Sequence, residues 1–173
     1  MTWTAPPVTR VDGVFAGDEL ATLASFLDWY RATVLHKCAG LTAEQLARQA
    51  VPPSSLSLLG LLRHLTEVER GWFRRRIGGE VAGRAYCTAE RPDADFDDAQ
   101  PGTAEADYAA YVRELDLARA AVAGRSLDET FIHDRHQTQM NVRWVYVHLI
   151  EEYARHAGHA DLLRQCIDGA TGS

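Results

Sequence analysis

Trp144-Val-Tyr-Val-His148-Leu-Ile-Glu-Glu152-Tyr-Ala-Arg-His156-Ala-Gly-His159-Ala-Asp-Leu-Leu-Arg164 is the stretch that decides how this chain is read. Apolar residues recur every three or four positions, the period of an amphipathic helix. Residues four apart on a helix lie on one face, one turn above another. His148, Glu152 and His156 therefore form a single stripe of imidazole, carboxylate and imidazole, which are metal-ligand types at metal-ligand spacing. Val145, Leu149 and Leu163 lie near the same face, so the stripe is not wholly in water. The structural alternative is a face in which Glu152 makes helix salt bridges and the histidines are incidental.

Outward from this stretch, the rest of the chain reads as helices. Asp18 caps a helix that starts near Glu19, carries Leu20, Leu23, Phe26, Leu27, Tyr30, Val34 and Leu35 on its apolar face, and ends by Gly40. Thr42 and Gln45 form a capping box that opens a short helix to about Gln49, and Pro52-Pro53 breaks the chain. A second long helix is expected from about Ser55 to Ile77, with Gly78-Gly79 ending it. Residues 78–102 read as one long connection, with the acidic tract Asp93-Ala-Asp95-Phe-Asp97-Asp98. That tract lacks the glycine and terminal glutamate of a calcium-binding EF-hand loop and is expected to be a solvated loop. A connection of this length in a compact domain often covers a functional site. A third helix follows from about Thr103 to Ala123, with Tyr108, Tyr111, Val112, Leu115 and Val122 inward. The fourth runs from about Asn141 to Ile167. No convincing strand pattern exists. The predicted fold is all-α: an antiparallel-type four-helix bundle with a long crossover and a short extra helix. It occupies residues 18–169 as one domain, after an irregular arm over residues 1–17.

Size and composition agree. The chain has 173 residues, enough for a real core, with 46% apolar and 24% charged residues. A net charge of −6 argues against general nucleic-acid binding, which needs a basic face. No stretch approaches the roughly 20 apolar residues that span a bilayer. The start, Met1-Thr-Trp-Thr-Ala-Pro-Pro, lacks the basic and apolar regions of a signal peptide. Cys38, Cys87 and Cys166 are odd in number and widely spaced, which suits free thiols in a reducing cytoplasm. A single lysine among abundant Ala, Arg and Gly hints at a GC-rich bacterial genome.

His64 stands in the Leu-rich face of the second helix, beside Leu61, Leu65 and Val68, and is expected to point inward. As a core histidine it needs a hydrogen-bonding partner. As a ligand it completes a two-histidine, one-carboxylate set with Glu152 and His156, and three protein ligands leave an open position of the catalytic-zinc kind. His148, Arg155 and His159 are candidates for outer contacts or for substrate binding. His36, His133 and His136 are expected at the surface. Arg74-Arg75-Arg76 read as cations at a helix C-terminus, where the dipole favours them. No phosphate-binding loop, dinucleotide fingerprint, nucleophile elbow or Cys–His nucleophile arrangement is present.

The run Leu58-Leu-Gly-Leu-Leu-Arg-His64-Leu-Thr-Glu-Val-Glu-Arg-Gly-Trp72-Phe73, the run Arg143 to Arg164, and Ile167-Asp-Gly resemble the DinB-like superfamily. The similarity is to its actinobacterial mycothiol transferase-like branch and covers most of the chain. The resemblance implies a four-helix bundle holding a divalent metal, usually zinc or nickel, through one residue of the second helix and two, four apart, on the last. The matching positions are His64, Glu152 and His156. Many members have His-x-x-x-His followed by Arg-Gly-Gln on the last helix. Here Glu152 takes the first position, as in the His/Glu/His set of mycothiol-dependent maleylpyruvate isomerase relatives. Glu152 is thus the departure from the common pattern, with His148 and His159 as the alternatives to it.

The function implied is a metal-dependent S-transferase of detoxification, with mycothiol as co-substrate and the metal activating the thiol for attack on an electrophile. Two other readings stand beside it. One is a non-catalytic metal- or ligand-binding bundle, a stress protein or a homodimer with structural histidines. The other is a metal-dependent hydrolase.

Overall fold

A computed structural model describes residues 2–134 and 137–172. The helices are α1 (Glu19–Cys38), α2 (Ala43–Leu46), α3 (Leu58–Glu69), α4 (Ala94–Asp97), α5 (Ala104–Val122) and α6 (Val142–Asp168). Local signals explain their ends. The Asp18 carboxylate accepts from the Ala21 N–H, Ser57 Oγ from Gly60 and Asn141 Oδ1 from Trp144, each satisfying an orphan donor of a first turn. Thr42 and Gln45 form the reciprocal capping box. Gly169, at φ +78°, closes α6 in the left-handed conformation that glycine adopts without steric cost.

The pairing of side chains fixes the topology. Arg143 at the start of α6 meets Glu19 at the start of α1, and Arg164 near its end donates to the carbonyls of Lys37 and Ala39 at the end of α1. These helices run parallel. Arg63 meets Asp107 and Arg70 meets Glu114, so α3 and α5 are parallel too. Against α6, His64 faces His156 while Phe73 faces Tyr146, so α3 and α6 are antiparallel. The bundle is therefore up-down-down-up rather than uniformly antiparallel. Two consecutive long helices in the same direction force the chain to return along the bundle, roughly 30 Å for a helix of this length. That return is the long crossover.

Several expectations change in detail. α3 begins at Leu58 and passes at Glu69 into a π-helical run, Arg70–Ile77. There the Gly78 N–H reaches the Phe73 carbonyl five residues back. α2 stops at Leu46, short of Gln49. The crossover contains α4 and a 3₁₀ turn, Pro101–Thr103. Two short strands, β1 (Thr130–Ile132) and β2 (Gln139–Asn141), pair antiparallel between α5 and α6. At three residues each they are too short to show period-two patterning. Leu20, Phe26 and Val112 fit the helical period but lie on the exposed side. The arm before α1 is tied to the bundle by a Thr4–Thr42 bridge and by Trp3, packed edge-on against Tyr108.

Leu58, Leu59, Leu61, Leu62 and Leu65 of α3 pack with Leu27, Val34 and Leu149 in the core. Within that core lies an ionic network that hydrophobic periodicity does not reveal. The fully buried Glu69 carboxylate accepts from Arg31 Nε at 2.7 Å and Nη2 at 2.6 Å. It also accepts from Tyr153 Oη at 2.7 Å, and Tyr153 shares a 2.9 Å hydrogen bond with Tyr111. The network joins α1, α3, α5 and α6. A bidentate guanidinium–carboxylate pair offsets the desolvation of both charges, but neither partner tolerates loss of the other. Arg31→Ala is expected to destabilise the fold by roughly 3–5 kcal/mol, whereas Arg31→Met combined with Glu69→Leu recovers most of that loss; urea denaturation of both variants checks it.

Candidate metal centre

The antiparallel packing of α3 on α6 brings the sequence-selected residues together. His64 on α3 and Glu152 and His156 on α6 each offer a donor atom, and the three atoms lie within 4.8 Å of one another. His156 is buried, and the side chains of His64 and Glu152 are 25% and 17% exposed, so the cluster opens to solvent on one side. The rings of His64 and His156 meet edge to face with centroids 4.8 Å apart.

The donor set suits a divalent ion. Nitrogen and oxygen donors at about 2.0–2.2 Å around a tetrahedral centre stand about 3.4 Å from one another. His156 Nε2 and Glu152 Oε2 are 3.5 Å apart, close to that ligand-to-ligand separation. Two imidazoles and one carboxylate are borderline ligands suited to zinc or nickel, not the all-oxygen shell that calcium and magnesium prefer.

Each member of the cluster has a neighbour. His64 Nδ1 lies 2.9 Å from Asp95 Oδ2, and its ring stacks on Phe96 at 4.9 Å. His156 Nδ1 lies 3.3 Å from His159 Nδ1. One of these nitrogens donates and the other accepts, so the two rings cannot both be doubly protonated. His148 Nε2 lies 3.9 Å from Glu152 Oε1. Arg155 is half-exposed and binds Glu151 at 2.6 Å, with its other amine 3.8 Å from Glu152. His148, Arg155 and His159 thus surround the cluster, and among the described residues the donor group consists of His64, Glu152 and His156.

Other expectations are corrected. The acidic tract is not simply a solvated loop: Asp95 is buried and turned onto His64. His133 is buried rather than at the surface, with its ring 5.2 Å from that of Trp72. His136 lies outside the described residues, and His36 is half-buried near the Val8 carbonyl. Arg74 and Arg76 do more than face a helix terminus. Arg74 pairs with Glu80 and Glu114. Arg76 pairs with Asp134 and lies over the face of Trp72, 4.6 Å from its centroid.

An aromatic wall adjoins the cluster. His148 stacks on Trp144 at 4.8 Å and meets Trp72 edge-on at 4.9 Å, and the two indoles are 5.4 Å apart. Trp72 comes from the π-helical run, a type of irregularity frequent at functional sites. Trp144 is 43% exposed and presents its indole to solvent next to His148.

Two of the chain's own thiols are poorly suited to act as thiolates. Burial pushes Cys38 up to about 12 and Cys87 up to about 11, so both remain protonated near neutrality. Cys166 is exposed, ten residues beyond His156 and about 15 Å along the helix.

The class defined by fold and site is a bundle of four long helices with an open two-histidine, one-carboxylate cluster between its second and last long members. The mycothiol-S-transferase family matches residues 22–169, and the chain belongs to that family. None of the curated proteins matches the chain significantly. Among the described residues, no helix is long and apolar enough to cross a membrane.

Burial, together with the nearby His64, His159 and Arg155, pushes the His156 imidazole down to about 3. The fold refuses a proton that the unfolded chain accepts near the ordinary value of 6.5. Stability of the metal-free protein therefore falls as pH drops below about 6.5 and continues falling toward 3. Urea midpoints at pH 7.5 and about 5.5 are expected to differ more for the wild type than for His156→Ala; equal differences would remove His156 as the source.

Proposed function

We propose that this chain is a metal-dependent S-transferase in which His64, Glu152 and His156 hold a divalent ion, zinc or nickel. Mycothiol is its thiol co-substrate. The observation that carries the reading is the convergence of these three donors, from two antiparallel helices, in a chain of the mycothiol-S-transferase family. A divalent ion in this cluster supplies Lewis acidity, which favours the thiolate form of a small thiol at neutral pH.

The protein's own groups define the rest. Glu152 brings one negative charge and His156 is neutral near pH 7, so the cluster leaves net positive charge on a divalent ion to favour an anionic sulfur. A free thiol has a pKa of about 8.5 and is only a few per cent ionised at neutrality, which is the deficit this charge addresses. The open side of the cluster admits the co-substrate. The part-exposed indole of Trp144 offers an apolar surface against which an electrophile can lie. In the transfer, the thiol gives up its proton to solvent, sulfur forms a bond to the electrophilic carbon, and the leaving group departs with the electron pair of the broken bond. Arg155, half-exposed near Glu152, is positioned to meet an anionic substituent.

The test is conjugation of mycothiol to chlorodinitrobenzene, followed by the absorbance of the thioether. Turnover is expected with the zinc- or nickel-loaded protein, lost on chelation and restored by metal. Glu152→Ala and His156→Ala are expected to lose roughly 100-fold or more, beyond what removal of an outer partner costs. Turnover that persists in the chelated protein would contradict the metal-dependent reading.

A further inference from the structure

We infer that Asp95 is a positioning residue of this centre: it fixes the tautomer of His64 and so aims the ring's free nitrogen at Glu152 and His156. The inference rests on the metal reading above and adds a residue from a different element, the crossover.

An ionised carboxylate only accepts hydrogen bonds, and a neutral imidazole has one N–H and one lone pair. With Nδ1 at 2.9 Å from Asp95 Oδ2, the proton must sit on Nδ1 and the lone pair on Nε2. Only that tautomer can ligate through Nε2. A carboxylate behind a ligating histidine both selects the tautomer and raises the basicity of the ligand.

Asp95 is itself held. It is 3% exposed. Arg63 Nε donates to the Asp95 carbonyl at 2.8 Å and Arg63 Nη2 to the Ala94 carbonyl at 2.9 Å. The second carboxylate oxygen of Asp95 accepts from the Phe96 N–H at 3.1 Å. Phe96, the next residue, lies against the His64 ring with planes 26° apart. The imidazole is thus fixed at its edge by Asp95 and on its face by Phe96. Both come from α4, and an earlier part of the crossover is held to α3 by Glu67, which accepts from the Tyr86 and Cys87 N–H groups. With the crossover seated in this way, His64 is set for ligation.

The test combines two readouts on wild type, Asp95→Ala and Asp95→Asn. Long-range nitrogen–proton correlation spectra of the metal-free proteins identify the His64 tautomer, and competition with a chromophoric chelator gives zinc affinity. Wild type is expected to show the Nδ1–H form. Asp95→Ala is expected to move toward the Nε2–H form and to bind zinc roughly 10- to 100-fold more weakly. Asp95→Asn, whose amide oxygen can accept the same hydrogen bond, retains the tautomer and loses less affinity than the alanine variant. A purely structural role for Asp95 would lower thermal stability while leaving tautomer and affinity in the folded protein unchanged. An Nε2–H tautomer in wild type, or undiminished zinc affinity in folded Asp95→Ala, overturns the inference. Absence of zinc binding by wild type overturns the metal reading itself. Should Asp95→Ala fail to fold, the wild-type tautomer and the asparagine variant decide.

Discussion

The buried guanidinium of Arg63 is the point on which the arrangement of this protein depends. It cannot shed its charge and it is almost wholly out of water, so it must be paired. Its partners come from two other places: the Asp107 carboxylate at the start of α5 and the backbone carbonyls of Ala94 and Asp95 in the crossover. One side chain thereby fixes the parallel register of α3 and α5 and seats the segment that must run between them. The Tyr86 ring covers the guanidinium, 4.1 Å away. The topology creates the need for a long return, and Arg63 makes that return part of the site.

Two of the polar residues that follow Arg63 on α3 divide between the cluster and the core. His64 turns toward the cluster and Glu69 into the core, where it gathers Arg31 and Tyr153. Tyr153 also follows Glu152 directly in sequence, three residues before His156, and is wholly buried. The core network therefore anchors α6 at the turn that carries two of the three donors. Sites whose groups are locked by packing and hydrogen bonds reach their working geometry without reorganisation. Here the locking is done by charges and hydroxyls that cannot move independently of the bundle.

Much of this was legible in the sequence because it follows helical periodicity. The long helices, the caps at Asp18 and Thr42, and the stripe of Glu152 and His156 are local features. His64 stood out because an imidazole on a leucine face requires an explanation. Contacts between distant segments were not legible. Nothing local to Asp93–Asp98 distinguishes Asp95, which is buried, from Asp98, which lies exposed against Arg91; only the path of the crossover does. The clue was present in a weaker form: a long connection is expected to cover something, and His64 needed a partner. His133 was misread because it lies in a polar stretch, yet the return of β1 toward the π-helical run buries it against Trp72. Glu69 and Arg31 were invisible as a pair, because a charge at a helical position ordinarily implies solvent and each became internal only through the other. The chain directions were also missed, since amphipathic period carries no direction.

The central claim is that His64, Glu152 and His156 form one metal centre. Elemental analysis of purified wild type beside Glu152→Ala and His156→Ala tests it most directly. The account predicts about one zinc or nickel per chain in the wild type, as expected of a three-ligand catalytic site, and loss of it in both variants while the helical fold persists. A wild type that holds no metal after reconstitution with either ion, or variants that retain it in full, would contradict the account.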